Sequence, residues 1–238
     1  LCELLPLVTS ADLLRFAPVL AAAIPELKPM LGFDQRSPHH AYDVFTHTAH
    51  VVTGVPADLT LRWAALLHDV GKVPTFTQDA TGRGHFYGHA KESAAFADGI
   101  LRRLKAPTAL REEVVTLIEL HMTKLEPDKK LLRRRLGKLG RQQLEMLLHL
   151  QEADMGSKGT GKAEEMQQFP EIRALLAEIE AENACLTLKD LAISGHDLMA
   201  LGFSGPAIGK TQRYLLELVL EERLPNEKEA LLKALHQQ

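Results

Sequence analysis

The stretch from Leu61 to Lys72, LRWAALLHDVGK, constrains the fold more than any other part of the chain. It reads as the end of an apolar helix that runs into a polar cluster. Leu61, Ala64, Ala65 and His68 recur at helical spacing, which puts His68 on the buried face. Asp69 follows at once, and Gly71 is expected to stop the helix in a left-handed conformation. An imidazole and a carboxylate side by side on a buried surface are costly unless something satisfies them. A plain hydrogen-bonded His-Asp pair is the usual meaning of an isolated dipeptide of this kind. A divalent metal satisfies them too, because the imidazole nitrogen is a borderline ligand and the carboxylate a hard one able to bridge two ions. Further ligands from elsewhere in the chain would decide between the two.

Composition supports a helical protein. The 238 residues are 45% hydrophobic and 25% charged, enough for one large core or two small ones. Aromatics make up only 5% while Leu and Ala dominate, which favours helices over a sandwich or barrel. A net charge of -3 makes the whole chain no magnet for polyanions and leaves room for a local basic patch. Cys2 and Cys185 form no pair motif, which suits a reducing cytosol and excludes a cysteine-based zinc site. No apolar run approaches a membrane span and no signal peptide opens the chain, so a cytoplasmic protein without membrane contact is expected. The chain begins at Leu1, which leaves open that it is a piece of a longer polypeptide.

The periodicity predicts a helix over 10–24 capped by Ser10, a Pro- and Gly-rich loop over 25–39, and a second helix from about His39 to Thr53. The buried face of that second helix is Val44, His47 and Val51. Asp58 is the expected N-cap of the helix that carries His68-Asp69. Residues 73–88 hold TFT and HFY around a Gly-rich turn, a small hairpin or irregular loop beside the pair and a natural lid. Helices follow over 89–105, with His89, Ser93, Phe96 and Ile100 on one face, and from Pro107 through Val114, Leu117 and Ile118 into His121. Another runs from Arg141 to Asp154. Residues 155–165 read as a mobile loop and a soft boundary. The remainder is helical: 170–183, 196–201 capped by Ser194, 206–223, and 225 to the end. The expected organisation is therefore all-α, with a metal-binding helical domain over 1–155, one short hairpin or lid, and a smaller helical domain over 165–238.

Five predicted helices share one oddity: an apolar stripe ends in, or is interrupted by, a metal-competent side chain. These are His47, His68 with Asp69, His89, His121 and Asp154. One buried histidine is ordinary, but five such events within 110 residues point to a site. Four neutral imidazoles and two carboxylates can hold one or two divalent ions, with Asp69 the natural bridge. The donor mix suits Mn, Mg, Ni, Fe, Co or Zn without choosing among them. Such ions polarise a phosphoryl oxygen and acidify water.

The order His47, then HDVGK at 68–72, then HAKESA at 89–94, then His121, then the Asp154 of LQEAD resembles the HD superfamily of metal-dependent phosphohydrolases. The resemblance implies His47, His68, Asp69 and Asp154 for one ion and Asp69, His89 and His121 for a second. It also implies that Lys72 faces a substrate phosphate. Many relatives carry Asp directly after the histidine at position 121, where this chain has Met122. A longer similarity covers nearly the whole chain. PELKPMLGFDQRSPHHAYDVFTHTAHVV, RWAALLHDVGK, GRGHFYGHAKESA and LKDLAISGHDLMALGFSGPAIGK, with LLELVLEERLPNEKEALL, are similar to the region after the catalytic head in bacterial tRNA nucleotidyltransferases of the CCA-adding and poly(A) polymerase family. That resemblance implies tRNA contacts over 186–238. The family's head carries a D-x-D pair and this chain has none, so nucleotide addition is not expected of it alone.

Other signals are weaker. Gly209-Lys210-Thr211 is no P-loop, because Ser204 stands where the first glycine would be and no strand precedes it; the helix start with Lys210 can still meet an RNA phosphate. The basic run 129–141 reads first as a solvated face and second as an RNA contact. His85 lies in the lid within reach of a substrate; His40 and His50 read as surface residues or supports, and Glu92 as a partner for His89 or a surface ion pair. Three functions fit: a phosphohydrolase acting on a phosphomonoester, cyclic phosphodiester or nucleotide with Asp69 and Lys72 at the reaction centre; a non-catalytic RNA-binding body; and a ligand-sensing module without turnover.

Overall fold

Short polar side chains cap five of the helices among the described residues. The computed structural model describes residues 2–38, 41–159, 163–182 and 184–235, so His39, His40 and the middle of the 155–165 segment lie outside the described residues. Thr9, not Ser10, caps α1 (Ser10–Arg15), in a reciprocal box with Asp12. The helix expected over 10–24 is broken: α1 ends at Phe16 and α2 (Ala17–Ala23) begins there with Pro18 in its first turn. Pro18 has no N–H to continue the ladder, so the break falls where the ring forces it. A 3-10 helix occupies Pro25–Met30. Asp43 caps α3 (Val44–Gly54) and Asp58 caps α4 (Leu59–Leu67), each accepting from backbone N–H groups of the first turn.

A two-stranded antiparallel hairpin, β1 (Thr77–Gln78) and β2 (Gly84–His85), pairs Thr77 with His85 and Gln78 with Gly84. Then come α5 (His89–Arg103), α6 (Thr108–Leu120), α7 (Lys129–Leu139), α8 (Arg141–Gly156), α9 (Ala163–Met166), α10 (Gln168–Ala181), α11 (Gly195–Ala200), α12 (Pro206–Leu220) and α13 (Lys228–Leu235). The described residues are thus all-α apart from one hairpin. The short α9 overlaps the end of the stretch 155–165 read from sequence as a loop. No helix among the described residues is long and apolar enough to cross a membrane.

The chain divides into two units, Leu1–Lys124 with Glu145–Gln167, and Leu125–Leu144 with Gln168–Gln238. In the first, α4 is the central rod: every residue from Thr60 to Leu67 is buried, including Arg62, whose guanidinium donates to Pro56 O and Val8 O. Helices α3, α5 and α6 pack on it, and α5 packs along α6. The hairpin is anchored by an aromatic series, with Phe33 and Phe76 at 5.1 Å between centroids and Phe76 and Phe86 at 5.5 Å. In the second unit, Leu191, Ile193, Leu198, Leu215 and Leu231 form a buried cluster. Helix α7 packs against α10 and α12 there. Its Lys129, Arg133 and Arg134 pair with Glu178, Glu182, Glu217, Glu221 and Glu222. Half of the basic run is therefore a neutralised seam.

Gly71 departs from the expectation of a left-handed helix stop, since its φ is not positive. Close approach explains the residue instead. A Cβ on Gly71 would lie 2.6 Å from Ser93 N, 2.8 Å from His89 O and 2.9 Å from Glu92 Cβ. Its own N–H donates to Ser93 Oγ at 2.9 Å. The turn after α4 is thereby docked on the first turn of α5. Gly84 works the same way on the other side: a Cβ there would meet Gln35 O at 2.3 Å, and Gly84 N donates to Arg36 O at 2.9 Å.

Gly71→Ala is expected to destabilise the protein by about 1–3 kcal/mol, because backbone rather than a mobile side chain must move. Urea unfolding of the two proteins side by side checks this; an unchanged midpoint would show that the contact has room to relax.

Candidate metal centre

Six side chains arrive at one place from five helices or their ends. His47 lies in the first turn of α3, His68 caps the C-terminus of α4 with Asp69 next, His89 opens α5, His121 caps the C-terminus of α6, and Asp154 sits in the last turn of α8. None of the four histidines nor Asp69 is more than 7% exposed. Asp69 is at the centre. Its Oδ2 is 3.2 Å from His68 Nε2 and 3.6 Å from His47 Nε2, while its Oδ1 is 3.5 Å from His89 Nε2. Asp154 Oδ1 is 2.9 Å from His47 Nε2 and 3.9 Å from His68 Nε2. Two donor groups, His47 with His68 and Asp69, and Asp69 with His89 and His121, each have ligand atoms within 4.8 Å of one another.

The rings are oriented by backbone. His68 Nδ1 is 2.7 Å from Ala65 O, His89 Nδ1 2.8 Å from Phe86 O, His121 Nδ1 2.6 Å from Ile118 O, and His47 Nδ1 3.2 Å from Ser157 O. A carbonyl can only accept, so in all four rings Nδ1 carries the hydrogen. A neutral ring then leaves the lone pair of Nε2 free for an ion, and His47, His68 and His89 present that nitrogen to Asp69. His89 Nε2 and His121 Nε2 face each other at 3.2 Å. Two lone pairs at that distance repel unless a proton or a cation lies between them. His68 Nε2 and Asp69 Oδ2 are buried without a hydrogen-bond partner; Lys72 Nζ, 2.8 Å from Asp69 Oδ2, supplies charge there rather than a hydrogen bond. Orphaned buried donors and facing lone pairs fit a divalent cation.

The charge distribution agrees. Burial works to raise the Asp69 carboxyl, and the adjoining His68 and Lys72 outweigh this and hold it well below the usual carboxylate range. Burial also works to raise Asp154, which the adjoining His47 imidazole and the charge of Lys158 hold well below its usual value. Burial pushes His121 down to about 4 and lowers His89. His68 goes the other way: burial would lower it, but the Asp69 charge raises it.

A cavity of about 260 Å³ opens over this cluster, lined among others by Asp69, Lys72, His85, His89, His121 and Asp154. Lys72 is nearly buried at its wall, donating to Gln35 Oε1 at 2.9 Å and sitting 5.4 Å over the Phe86 ring. His85 is at the cavity too, its Nε2 held 2.9 Å from Asp79 Oδ2. His50 lies elsewhere, against Tyr42. Of the two readings of Glu92, the partner for His89 is not found: Glu92 is exposed, and the ring is held by Phe86 O. Two contributors escaped the sequence reading. Gln35 is 1% exposed and bridges Tyr42 O and Lys72 from within a loop, with no periodicity to mark it. Lys158, 3.4 Å from Asp154 Oδ2, stands four residues after it, a spacing that could have been read.

A family model described as tRNA nucleotidyltransferase domain 2 matches residues 86–235, which include His89, His121 and Asp154 but not His47, His68 and Asp69. The chain is 37% identical over 210 residues to the A-adding tRNA nucleotidyltransferase of Deinococcus radiodurans, covering 84% of this chain and 47% of that protein. It is 33% identical over 227 residues to the CC-adding tRNA nucleotidyltransferase of Thermus thermophilus, covering 92% of this chain and 50% of that one. With the multifunctional CCA protein of Halorhodospira halophila it shares 31% over 213 residues, 85% of this chain and 48% of the relative. The chain spans about half the length of the curated relatives it matches.

Asp69→Ala is expected to abolish metal loading, since Asp69 alone offers an oxygen to both donor groups; metal analysis of the variant beside the wild type checks it, and equal content would refute the ligand assignment. Loading also has a pH sign. His68 is raised, so below its pKa a proton occupies the nitrogen an ion needs, whereas His89 and His121 are lowered and do not compete. Affinity for Mn²⁺ is expected to rise with pH through the neutral range, with proton release measurable by titration calorimetry in buffers of different ionisation enthalpy.

Proposed function

The chain belongs to the tRNA nucleotidyltransferase domain 2 family, and from that premise we propose that it is the RNA-holding body of a tRNA nucleotidyltransferase-like protein. The similarity carries this reading, because it runs through both units and over 84–92% of the chain with relatives named for A- and CC-addition to tRNA. The chain contains no D-x-D pair, and nucleotide addition is not proposed for it alone. The contact surface proposed is α12 rather than α7. The arginines of α7 are mostly spent on glutamates, as described above. On α12, Lys210 and Arg213 are exposed three residues apart, in no ion pair among the described residues, and Tyr214 next to them is 42% exposed. Cations beside a partly exposed ring suit a phosphate backbone and an unpaired base.

A second reading is favoured by the facing lone pairs of His89 and His121 and the two donor groups that share Asp69. On this reading the cluster is the reaction centre of a metal-dependent phosphohydrolase for a phosphomonoester, cyclic phosphodiester or nucleotide. His47, His68, Asp69 and Asp154 would hold one divalent ion, and Asp69, His89 and His121 a second. Bound there, such ions supply Lewis-acid polarisation of a phosphoryl oxygen and a lower pKa for water. The protein's part is positional. The four carbonyl-tied rings hold their nitrogens in place, Asp69 keeps its carboxylate ionised, and the cavity admits a phosphate. Lys72, fixed by Asp69 and Gln35, offers an ammonium to that phosphate, and Lys158 a second one beside Asp154. The two readings are compatible in one chain.

Two experiments test them. Binding of tRNA to the whole chain is expected to weaken steeply with salt, and the double variant Lys210→Ala/Arg213→Ala to flatten the slope by about two; an unaltered slope would remove α12 from the interface. A phosphatase screen with added Mn, Ni, Mg and Co tests the second reading. Lys72→Ala is expected to leave metal content intact and to lower turnover about 100-fold; unchanged kinetics would take Lys72 out of the site.

A further inference from the structure

The hairpin beside the candidate metal centre holds an aromatic side chain in an unusual state. Tyr87 is 77% exposed, yet it is not loose. Its ring lies nearly parallel to the His85 imidazole, 5.3 Å between centroids and 6° between planes. Its hydroxyl is 3.3 Å from His85 Nδ1. His85 Nε2 is 2.9 Å from Asp79 Oδ2, and a carboxylate accepts, so Nε2 carries the hydrogen and Nδ1 accepts from the tyrosine hydroxyl. Asp79 is fixed in turn by the backbone N–H groups of Thr81 at 2.9 Å and Arg83 at 3.1 Å. A relay from backbone to Asp79 to His85 thus sets the position of Tyr87. One face of the ring is covered by His85, and most of the rest is open to solvent.

This ring stands at the wall of the cavity that also contains Asp69 and Lys72, together with Met122, which is 60% exposed. The cavity volume of about 260 Å³ falls below the roughly 300–1,000 Å³ that encloses a whole drug-sized ligand. That volume has room for a phosphate and its sugar, and a planar group attached to them can extend to the rim. There it meets an exposed, pre-positioned aromatic face and a flexible thioether side chain, a surface that binds flat rings by stacking. The polar floor and the aromatic rim together match a phosphate on one end of a ligand and a flat heterocycle on the other.

We propose that Tyr87 is a nucleobase platform: a nucleotide whose phosphate reaches towards Lys72 stacks its base on the open face of this ring. This rests on the phosphohydrolase reading above. It assigns recognition of the base to a residue outside the six metal-competent side chains. Base stacking on a protein aromatic contributes an amount that makes the nucleotide bind about 10-fold more tightly than the same sugar phosphate without a base.

The test is calorimetric titration of the whole chain, in Mn²⁺, with adenosine 5′-monophosphate and with ribose 5-phosphate, in which a hydroxyl replaces the base. The expected result is a preference of about 10-fold for the nucleotide, lost in Tyr87→Ala and kept in Tyr87→Phe, with ribose phosphate affinity and metal content the same in all three proteins. Tyr87 is largely exposed, so the alanine variant is expected to fold. Equal affinity of the wild type for both ligands, or a preference that survives Tyr87→Ala, would overturn the platform and leave the metal-centre reading standing. Failure of both ligands to bind, with or without Mn²⁺, would overturn that reading and the platform with it.

Discussion

The hydrogen bond from a histidine Nδ1–H to a main-chain carbonyl is the interaction on which the first unit's centre depends. It occurs at all four buried imidazoles, and in three of them the carbonyl belongs to the residue three positions earlier: Ala65 for His68, Phe86 for His89, Ile118 for His121. The repetition has a local cause. His68 and His121 each stand one residue past the last helical position, and His89 stands at the first, so the ring can fold onto a carbonyl near a helix end. A side chain at a helix end thereby satisfies a backbone group and fixes its own tautomer. Four such rings gather four lone pairs around two carboxylates, Asp69 and Asp154, an arrangement that is expensive in a dry interior without positive charge. Lys72 and Lys158 provide part of that charge, and a divalent ion fits the remainder.

Close packing holds the helix ends in register. Gly71 lets the turn after α4 touch the first turn of α5, where a methyl group would collide with backbone, and Ser93 ties the two with a hydrogen bond. Gly84 brings the hairpin against the segment that contains Gln35, and Gln35 in turn holds Lys72. The lid, the lysine and the donor cluster are consequently parts of one packed arrangement. The aromatic series Phe33, Phe76 and Phe86 fills the space beneath the hairpin, so the exposed Tyr87 projects from a rigid support rather than from a loose loop.

The second unit shows how charge can mislead when read along the chain. The run 129–141 looks like an anion-binding stripe, but Lys129, Arg133 and Arg134 meet glutamates on α10 and α12 or just beyond their ends. Exposed ion pairs of this sort contribute about 0–1 kcal/mol each, so their main effect is on the field: they remove cations from the surface that a polyanion would sense. The less conspicuous Lys210, Arg213 and Tyr214, only two cations and a ring, remain outward.

Much of this was legible in the sequence. The 3.6-residue periodicity announced most of the helices, including the apolar α4, because burial of one face leaves a pattern that survives any detail of packing. Asp58 and Ser194 announced their helix starts, since an N-cap needs only its own first turn. The six metal-competent positions were picked out because polar residues at the ends of apolar stripes violate that pattern. Ser10 as a cap, the unbroken helix over 10–24 and the left-handed Gly71 were local inferences that the packing overruled: Pro18 broke the helix, and Gly71 turned out to answer a close contact with α5. What only the tertiary structure decided was everything that depends on residues far apart in sequence. It made the two oxygens of Asp69 face different imidazoles, it placed Gln35 on Lys72, it turned half of the basic run into ion pairs, and it set Tyr87 over His85 at the mouth of the cavity. A sequence records which groups need partners; only the folded chain brings the partners within the few ångströms at which hydrogen bonds and ion pairs act.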